Sequence, residues 1–318
     1  MKKPDSKIEK FEPAYIKTFK KGLLRKKVQA AYKILNSCNL CPRQCRVNRI
    51  AGETGVCKTA KQAWVSSYNP HFGEEAPLVG THGSGTIFFT HCNLMCLFCQ
   101  NFDISHEGYG QEVSDKQLAA MMIALQEQGC HNINFVTPSH VIAQILSALE
   151  IAIQQGLFVP LVYNSGGYDL PSTLKLLEGV FDIYMPDFKF WDAEVAESAC
   201  QAKDYPQIAC NALREMHRQV GDLEVSENGI AQKGLLIRHL VLPGGLAGTR
   251  EIMRFIAREI STNSYVNIMS QYRPCGRAAE INGLNKSLSP NAFQSALREA
   301  AAEGITRLDQ PKRTFLFR

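Results

Sequence analysis

Three closely spaced cysteines are the residues of this chain most suited to chemistry. Cys92, Cys96 and Cys99 form a C-x3-C-x2-C run directly after an apolar, strand-like segment. Such thiolates can share one [4Fe–4S] cluster, for which cysteine is the usual ligand. Because no fourth cysteine lies nearby in the sequence, one iron would keep an open position, as a catalytic zinc does. The alternatives, a zinc knuckle or three buried cysteines, account less well for the spacing, which therefore predicts a reactive cluster.

Four further cysteines form a second group ahead of the first. With the spacing C-x2-C-x3-C-x11-C, the group comprises Cys38, Cys41, Cys45 and Cys57. This spacing fits a structural zinc ion or a fully ligated [4Fe–4S] cluster, and neither leaves an open position for catalysis. The tight first three cysteines favour iron–sulfur, so we expect a centre that relays electrons. The scattered cysteines, for which we expect small buried apolar roles, are Cys130, Cys200, Cys210 and Cys275.

The composition of the chain is that of a globular protein. Its 318 residues are 45% hydrophobic and 20% charged, which suits one α/β barrel with an appendage. It has no apolar run of about 18 residues, the length of a membrane span. The first residues lack the apolar stretch of a secretory signal. The 11 cysteines are therefore expected to be reduced and available for metal, which predicts a cytoplasmic protein.

Basic residues are concentrated near the N-terminus and supply much of the net charge of +5. Apolar residues such as Ile16, Phe19 and Leu23 recur among them at helical spacing, which predicts an amphipathic helix. A basic helix can contact nucleic acid or an acidic protein. Because no base-contacting motif accompanies it, we expect it to pack on its parent domain. The sequence predicts three segments: a basic helical segment 1–37, a four-cysteine module 38–79 and a barrel 80–318.

Strand and helix patterns alternate after the three-cysteine run, which is typical of a parallel α/β sheet. The predicted strands are Thr86–Thr90, Ile133–Thr137, Phe158–Asn164, Phe181–Asp187, Leu235–Leu242 and Tyr265–Gln271. The predicted helices are Ser114–Gln128, Ser139–Gln155, Leu170–Glu178, Ala193–Arg218, Arg250–Ile260 and Pro290–Ala302. About eight such units close a TIM barrel. The shorter series predicts an α/β fold built as a partial (β/α)6 TIM-type barrel that is open along one side.

Ligand-binding residues of such barrels gather at the carboxyl ends of the strands. That rule selects Cys92, Thr137, Asn164, Asp187, Arg238 and Gln271. Thr137, followed by Pro138, also predicts a helix start with Thr137 as the N-cap. Arg238 lies inside an apolar strand and demands an anionic partner, either a ligand carboxylate or Asp187. An Asn-Gly pair within residues 224–231 predicts a small hairpin before the fifth strand.

At the three-cysteine run the chain resembles the radical SAM superfamily. The signature of that superfamily is a C-x3-C-x2-C with an aromatic residue before the last cysteine, here Phe98. The resemblance implies that Cys92, Cys96 and Cys99 hold a [4Fe–4S] cluster whose open iron binds S-adenosylmethionine (SAM). One electron then cleaves the sulfonium and releases a 5′-deoxyadenosyl radical, which abstracts hydrogen from a substrate. Phe98 would lie near the adenine, and Asn101 is another expected cofactor contact. The sequence Cys-Gln-Asn that ends at Asn101 is typical of the branch resembling pyruvate formate-lyase activating enzyme.

The resemblance also implies how SAM is held at the strand ends. Many family members receive its amino group on a Gly-Gly-Glu turn after the second strand, and this chain has none. Thr137, Ser139 or His140, or backbone carbonyls, would accept those hydrogen bonds instead. Arginine matches a carboxylate with two hydrogen bonds, so the SAM carboxylate is the expected partner of the strand arginine. The remaining expected cofactor contacts are Asn164, Arg238 and Gln271.

The pair Asp187 and Lys189 resembles the Asp-x-Lys motif of the activating enzymes, which lies between SAM and the substrate glycine. We assign both to catalysis, where they could fix the sulfonium and the peptide backbone or hold a cation. In the family an acidic residue on the preceding strand accompanies such a cation. This chain has Asn164 on that strand and lacks the acidic residue.

The expected function is that of a radical SAM oxidoreductase of the activating-enzyme type. Its substrate would be a glycyl-radical enzyme or, alternatively, another protein, a peptide or a metabolite. The expected cofactors are SAM, a [4Fe–4S] cluster and a second cluster or zinc ion at the N-terminal group. The expected partner is a low-potential electron donor of flavodoxin or ferredoxin type, with neither membrane nor nucleic acid involved. The rival from another class is a non-catalytic electron carrier in which both cysteine groups hold metal.

Overall fold

A central, mostly parallel sheet organises the computed structural model, which describes residues 11–310. The ends of the predicted N-terminal segment and of the predicted barrel, residues 1–10 and 311–318, lie outside the described residues. The strands are β1 (Ala63–His71), β2 (Ser84–Phe89), β3 (Gln111–Val113), β4 (Ile133–Val136), β5 (Leu161–Ser165), β6 (Ile183–Pro186), β7 (Glu224–Val225), β8 (Ala231–Leu240) and β9 (Tyr265–Met269). The helices are α1 (Ala14–Lys20), α2 (Leu23–Ile34), α3 (Ala76–Val79), α4 (Asp115–Glu127), α5 (Ile142–Gln154), α6 (Pro171–Leu177), α7 (Ala193–Cys200), α8 (Tyr205–Val220), α9 (Thr249–Phe255) and α10 (Pro290–Ala302).

The parallel part of the sheet runs in the order β2-β4-β5-β6-β8-β9. Its strands β4, β5 and β6 are buried along nearly their whole length, which explains their continuous apolar sequences. Within residues 11–310, β2 and β9 do not pair with each other, so the sheet does not close. The predicted partial α/β barrel is therefore confirmed.

All six predicted parallel strands are present, and the predicted hairpin appears as β7 pairing antiparallel with β8. Helix α4 begins at a capping box in which Ser114 and Gln117 bond each other reciprocally, which satisfies two of the free amides at a helix start. The predicted helix 193–218 is two helices, because Gln201 adopts a left-handed φ of 51° after α7 and Pro206 opens the first turn of α8.

The prediction of Thr137 as a helix N-cap is wrong. Helix α5 begins at Ile142, and Thr137 lies before it with a left-handed φ of 63°. Its amide donates to the carbonyl of Asn164 on the adjacent strand (2.8 Å). This parallel-sheet bond holds the residue at the strand end and takes precedence over the local capping preference.

Two strands of the sheet were not predicted. β1 pairs antiparallel with β2 and β3, so the sheet begins at residue 63, upstream of the expected barrel start at residue 80. The sequence of β1 has no clean alternation of apolar and polar residues, and it contains Pro70, which normally argues against a strand interior. Part of the predicted four-cysteine module is thus continuous with the sheet.

The basic N-terminal segment forms the two helices α1 and α2, separated at Gly22 with its left-handed φ of 67°. Both pack on the barrel, as expected for an amphipathic segment. The Tyr15 hydroxyl donates to the Val159 carbonyl (3.0 Å) and the Thr18 hydroxyl to that of Gly179 (2.6 Å), while the Ala14 amide donates to Asp182 (2.8 Å). Across the described part of the chain, no helix combines the length and apolarity needed to cross a membrane.

Candidate functional site

A cleft of about 380 Å³ opens at the carboxyl ends of the parallel strands. It is the place where the barrel rule predicts ligand-binding residues. With two exceptions, the site residues predicted in the barrel all line it. They are Cys92, Cys96, Phe98, Cys99, Asn101, Thr137, Asn164, Asp187, Lys189, Arg238 and Gln271. The exceptions are Ser139, which is buried beside Asp169, and His140, which lines the separate cavity of the N-terminal cysteines.

The three-cysteine loop enters the cleft directly after β2. Left-handed φ angles at His91 (63°) and Met95 (57°) turn the chain on both sides of Cys92, and the Leu94 amide lies 3.3 Å from the Cys92 sulfur. Burial, followed by the neighbouring Cys96, raises the pKa of the Cys92 thiol to about 12. A thiolate at this position therefore needs a compensating cation.

These cysteines fit the [4Fe–4S] cluster that the sequence pattern implies. No group of three or more His, Cys, Asp or Glu side chains within residues 11–310 is arranged to hold a metal ion. A cluster makes a different demand, because its cysteines bind separate irons and need not converge on one point. The Leu94 amide next to Cys92 also supplies the type of backbone donor that tunes cluster sulfurs.

A fourth thiol, that of Cys200 at the end of α7, lies beside one of the three, Cys96. It is buried, and its contact with Cys96 is the largest of the causes that raise the pKa of Cys96. The sequence offered no signal for this approach, since the two cysteines are far apart in the chain and Cys200 was expected to be an isolated apolar residue.

Asp187, at the end of β6, lies between two cations. Its carboxylate accepts from Lys189 Nζ (2.5 Å) and from Arg238 Nε (2.8 Å). Burial alone would raise the pKa of Asp187, but Arg238 and Lys189 outweigh it and hold that pKa below its ordinary value. Burial would likewise lower the pKa of Lys189, but the Asp187 carboxylate raises it. All three groups therefore stay charged in the cleft.

The side chain of Arg238 is shared among several acceptors. Besides Asp187, it donates from Nη2 to Asn164 Oδ1 (2.7 Å), and its Nη1 lies 3.9 Å from Glu74 Oε2. The predicted alternative of an internal ion pair with Asp187 is therefore present in this structure. Within residues 11–310, Nη1 makes no hydrogen bond and has Glu74 only at ion-pair distance, so it is the atom available to a ligand carboxylate.

Glu74 is a residue of the cleft that sequence reasoning missed. Its side chain is only 8% exposed, and burial raises the pKa of its carboxyl group, opposed by Arg238. It comes from the loop between β1 and α3, where an acidic pair in a glycine-containing stretch looks like an ordinary surface turn. Glu74 brings into the cleft a carboxylate of the kind that Asn164 lacks.

Three other predicted residues, Thr137, Phe98 and Gln271, shape the border of the cleft. Thr137 combines a branched side chain with a left-handed backbone, a strain of about 1–3 kcal/mol that is frequent at functional sites. The Phe98 ring packs edge-on against Phe190, with centroids 5.8 Å apart, which leaves a fixed apolar wall. The Gln271 carbonyl accepts from Gln100 Nε2 (3.3 Å), which links the segment after β9 to the cysteine loop.

The N-terminal cysteines gather around a separate cavity, lined by Cys38, Cys41, Cys45 and Cys57 together with Arg43, Arg49 and His140. Arg43 extends from this cavity to the cleft at the strand ends. It donates to the carbonyls of Asn93 (2.9 Å) and Leu94 (3.0 Å) in the cysteine loop. It also donates to the carbonyls of Cys200 (2.7 Å) and Gln201 at the end of α7. One arginine therefore connects the two cysteine groups.

Fold and cleft together define an α/β protein with a partial parallel barrel and a cysteine-rich site at the carboxyl ends of its strands. The chain belongs to the family of the uncharacterized protein MJ0674 of Methanocaldococcus jannaschii. The two are 33% identical over 309 residues, which cover 94% of this chain and 84% of the relative. No protein-family model matches the chain.

Two solved structures resemble parts of the fold. "Native anSMEcpe with bound AdoMet" has a TM-score of 0.45 and 13% identity, over 67% of this chain and 57% of that chain. This chain thus spans little more than half of that protein. Methylornithine synthase (PylB) has a TM-score of 0.46 and 15% identity, over 89% of this chain and 70% of that chain. At these values neither similarity carries an argument about function, which rests on the residues of the cleft.

Proposed function

We propose that the chain is a radical SAM enzyme that cleaves SAM at a [4Fe–4S] cluster held by Cys92, Cys96 and Cys99. The observation that carries the proposal is the meeting of this cysteine loop with polar residues from the strand ends in one cleft. When bound, the cluster and SAM supply the chemistry: one electron cleaves the sulfonium and yields a 5′-deoxyadenosyl radical that abstracts hydrogen. The protein supplies the binding, orientation and electrostatics.

The residues of the cleft divide into those that bind SAM and those that face the substrate. Arg238 Nη1 is placed to bind the SAM carboxylate, and Phe98 provides an apolar surface for the adenine. Thr137 stands where the Gly-Gly-Glu turn would be and offers its hydroxyl to the SAM amino group. Asp187 and Lys189 form a fixed pair of opposite charges that positions the reacting groups.

The narrower proposal is that the substrate is a glycyl-radical enzyme. It is supported by the resemblance of the Cys-Gln-Asn ending at Asn101 and of the Asp187-x-Lys189 motif to the activating enzymes. A barrel that is not closed suits a protein segment as substrate. Hydrogen abstraction from another protein, a peptide or a metabolite is the alternative, and a low-potential flavodoxin or ferredoxin is the proposed electron donor.

The test is anaerobic reconstitution with iron and sulfide, followed by addition of dithionite and SAM. We expect 5′-deoxyadenosine to form, as measured by chromatography, and omission of dithionite is the control. A loaded cluster that yields no 5′-deoxyadenosine would overturn the proposal in favour of an electron carrier. Addition of a glycyl-radical protein, with detection of its radical by electron paramagnetic resonance, tests the narrower proposal separately.

Cys200 gives the electron-carrier interpretation its specific support, because a fourth thiolate on the cluster would close the open iron. We propose instead that Cys200 packs against Cys96 without binding iron. Cys200→Ala should therefore keep both the iron content and 5′-deoxyadenosine formation close to parental values, with a stability loss of about 1 kcal/mol. Loss of iron from this variant, measured by elemental analysis, would show that Cys200 is a ligand.

Arg238→Lys tests the role of the strand arginine. Lysine keeps the charge but loses the planar fork, so SAM affinity should fall about tenfold, the value of one hydrogen bond to a charged group. Equilibrium binding of SAM to the reconstituted enzyme measures the change. Arg254→Lys, on the outer pair with Glu303, is the matched control. Reduced stability with unchanged SAM affinity would mean that Arg238 serves only its pair with Asp187.

A further inference from the structure

We propose that Cys38, Cys41, Cys45 and Cys57 bind one metal centre of net negative charge, and that Arg49 is its buried counter-ion. The centre is a tetrathiolate site. The four cysteines line one cavity without converging on a single point, so they suit an iron–sulfur cluster as they stand and a zinc ion once the loop closes around it. The site lies in a cavity distinct from the catalytic cleft and shares no ligand with it. The inference therefore does not depend on the proposed SAM chemistry.

The backbone of the module is built to present its cysteines to one cavity. Cys38 pairs with the returning chain, its amide donating to the Val47 carbonyl and its carbonyl accepting from Arg46, both at 2.9 Å. Left-handed φ angles at Gln44 (42°) and Arg46 (60°) bend the chain on either side of Cys45. A loop of this kind has few backbone bonds of its own, so a bound metal would supply what holds its thiols in place.

Gly55 shows how closely the module surrounds Cys45. A Cβ atom at this glycine would lie 2.5 Å from the Cys45 sulfur, a distance that no real contact allows. The adjacent Val56 amide lies 3.4 Å from the same sulfur. The chain therefore brings a bare backbone and an amide donor against this thiol. Such donors stabilise metal-bound thiolates.

Arg49 is the observation that points to an anion. It is 1% exposed and lines the same cavity. Its Nε and Nη1 donate to the carbonyls of Ala60 (3.0 Å) and His140 (2.7 Å), and its Nη1 is 3.9 Å from the Cys38 sulfur. Its Nη2 has no hydrogen-bond partner, and Arg49 takes part in none of the ion pairs within residues 11–310.

A buried charge without a counter-charge is strongly unfavourable, and an arginine cannot lose its proton to escape that penalty. Apart from the cysteines, the other ionisable groups at the cavity are Arg43, which is a second cation, and His140. Neither is an anion, and His140 Nε2 bonds the Thr90 carbonyl (3.0 Å). Four thiolates around a divalent ion or an iron–sulfur cluster carry a net negative charge. The metal-bound module thus supplies the counter-charge that Arg49 lacks among the described residues.

The site can be tested in isolation from the catalytic cluster. In a variant with Cys92, Cys96 and Cys99 replaced by Ser, anaerobic reconstitution should load about four irons with sulfide or about one zinc per chain. Adding Cys41→Ser and Cys45→Ser should remove that metal, whereas adding Cys210→Ser as the matched control should not. Failure to load either metal, or loading that is unaffected by the Cys41 and Cys45 changes, would overturn the site.

The counter-ion is tested by comparing Arg49→Gln with Arg49→Lys in the same background. Gln retains hydrogen-bonding capacity without charge, and we expect metal affinity in competition with a chelator to fall about ten- to a hundredfold, while Lys retains most of it. The melting temperature should fall more in the metal-loaded Arg49→Gln variant than in its metal-free form. Equal metal affinity for Gln and the parental Arg would overturn the counter-ion role, even if the site itself binds metal.

Discussion

Replacing Cys96 by Ala should abolish 5′-deoxyadenosine formation in the reconstituted enzyme. The side chain lies in the middle of the cysteine loop and lines the cleft, and without it the proposed cluster would lose one of its three protein ligands. The expected loss is complete, because an incompletely held cluster cannot present its open iron in a fixed position. The measurement is product formation under dithionite, together with iron content.

The matched control for Cys96 is Cys130→Ala. Cys130 is also buried, but it lies beside the His82 carbonyl and lines neither the cleft nor the cavity of the N-terminal cysteines. Its replacement should leave SAM cleavage unchanged, so a general sensitivity to cysteine loss can be separated from a ligand role. If Cys96→Ala forms 5′-deoxyadenosine at the parental rate, the assignment of the cluster to this loop is wrong. Circular dichroism establishes that both variants are folded.

The second large effect is expected on stability. Asp187→Asn should destabilise the protein by about 3–5 kcal/mol, since it leaves Lys189 and Arg238 buried beside each other without their shared anion. Urea unfolding measures the change. Glu259→Gln, which breaks the half-exposed pair with Arg214, is the control and should cost at most about 1 kcal/mol. Similar losses in the two variants would mean that Asp187 does not hold the cations together.

The dependence on pH provides an independent check of the same group. The pKa of Asp187 is held below its ordinary value by Arg238 and Lys189, which outweigh burial. Its contribution to stability is therefore fully present above the unfolded-state pKa of about 3.9 and is lost as the pH falls through the folded-state pKa. The parental protein and Asp187→Asn should accordingly converge in stability under acid conditions and differ most near neutrality.

The parallel strands and the cysteine loop could be predicted because their signals are local. Continuous apolar runs specify buried strands, and the end of each strand then fixes which residues share an edge of the barrel. Asn164 and Arg238, for example, come from different strands and meet through a 2.7 Å hydrogen bond. Neither side chain identifies its partner in sequence, but the strand ends place both at the same edge.

The parts that could not be predicted depend on contacts between distant segments. In the sequence Glu74 looks like a surface residue, whereas in the structure the loop after β1 brings it into the cleft. In the sequence Cys200 is far from the other cysteines, whereas in the structure the end of α7 brings it against Cys96. Thr137 was predicted to be a helix cap because capping is a local preference, whereas in the structure its amide donates to the Asn164 carbonyl. In each case a tertiary contact overrides a local pattern.

The hydrogen bonds of Arg43 bear on whether the barrel can be exchanged as a modular part. Its guanidinium donates to carbonyls of the cysteine loop and to carbonyls at the end of α7, where a helix leaves its last carbonyls without intrahelical donors. A chimera that joined this barrel to an unrelated N-terminal piece would leave these carbonyls without donors, at about 1–3 kcal/mol for each one that stays buried. In recombination between relatives, we therefore expect the loop that bears Arg43 and the three-cysteine loop to be inherited from the same parent.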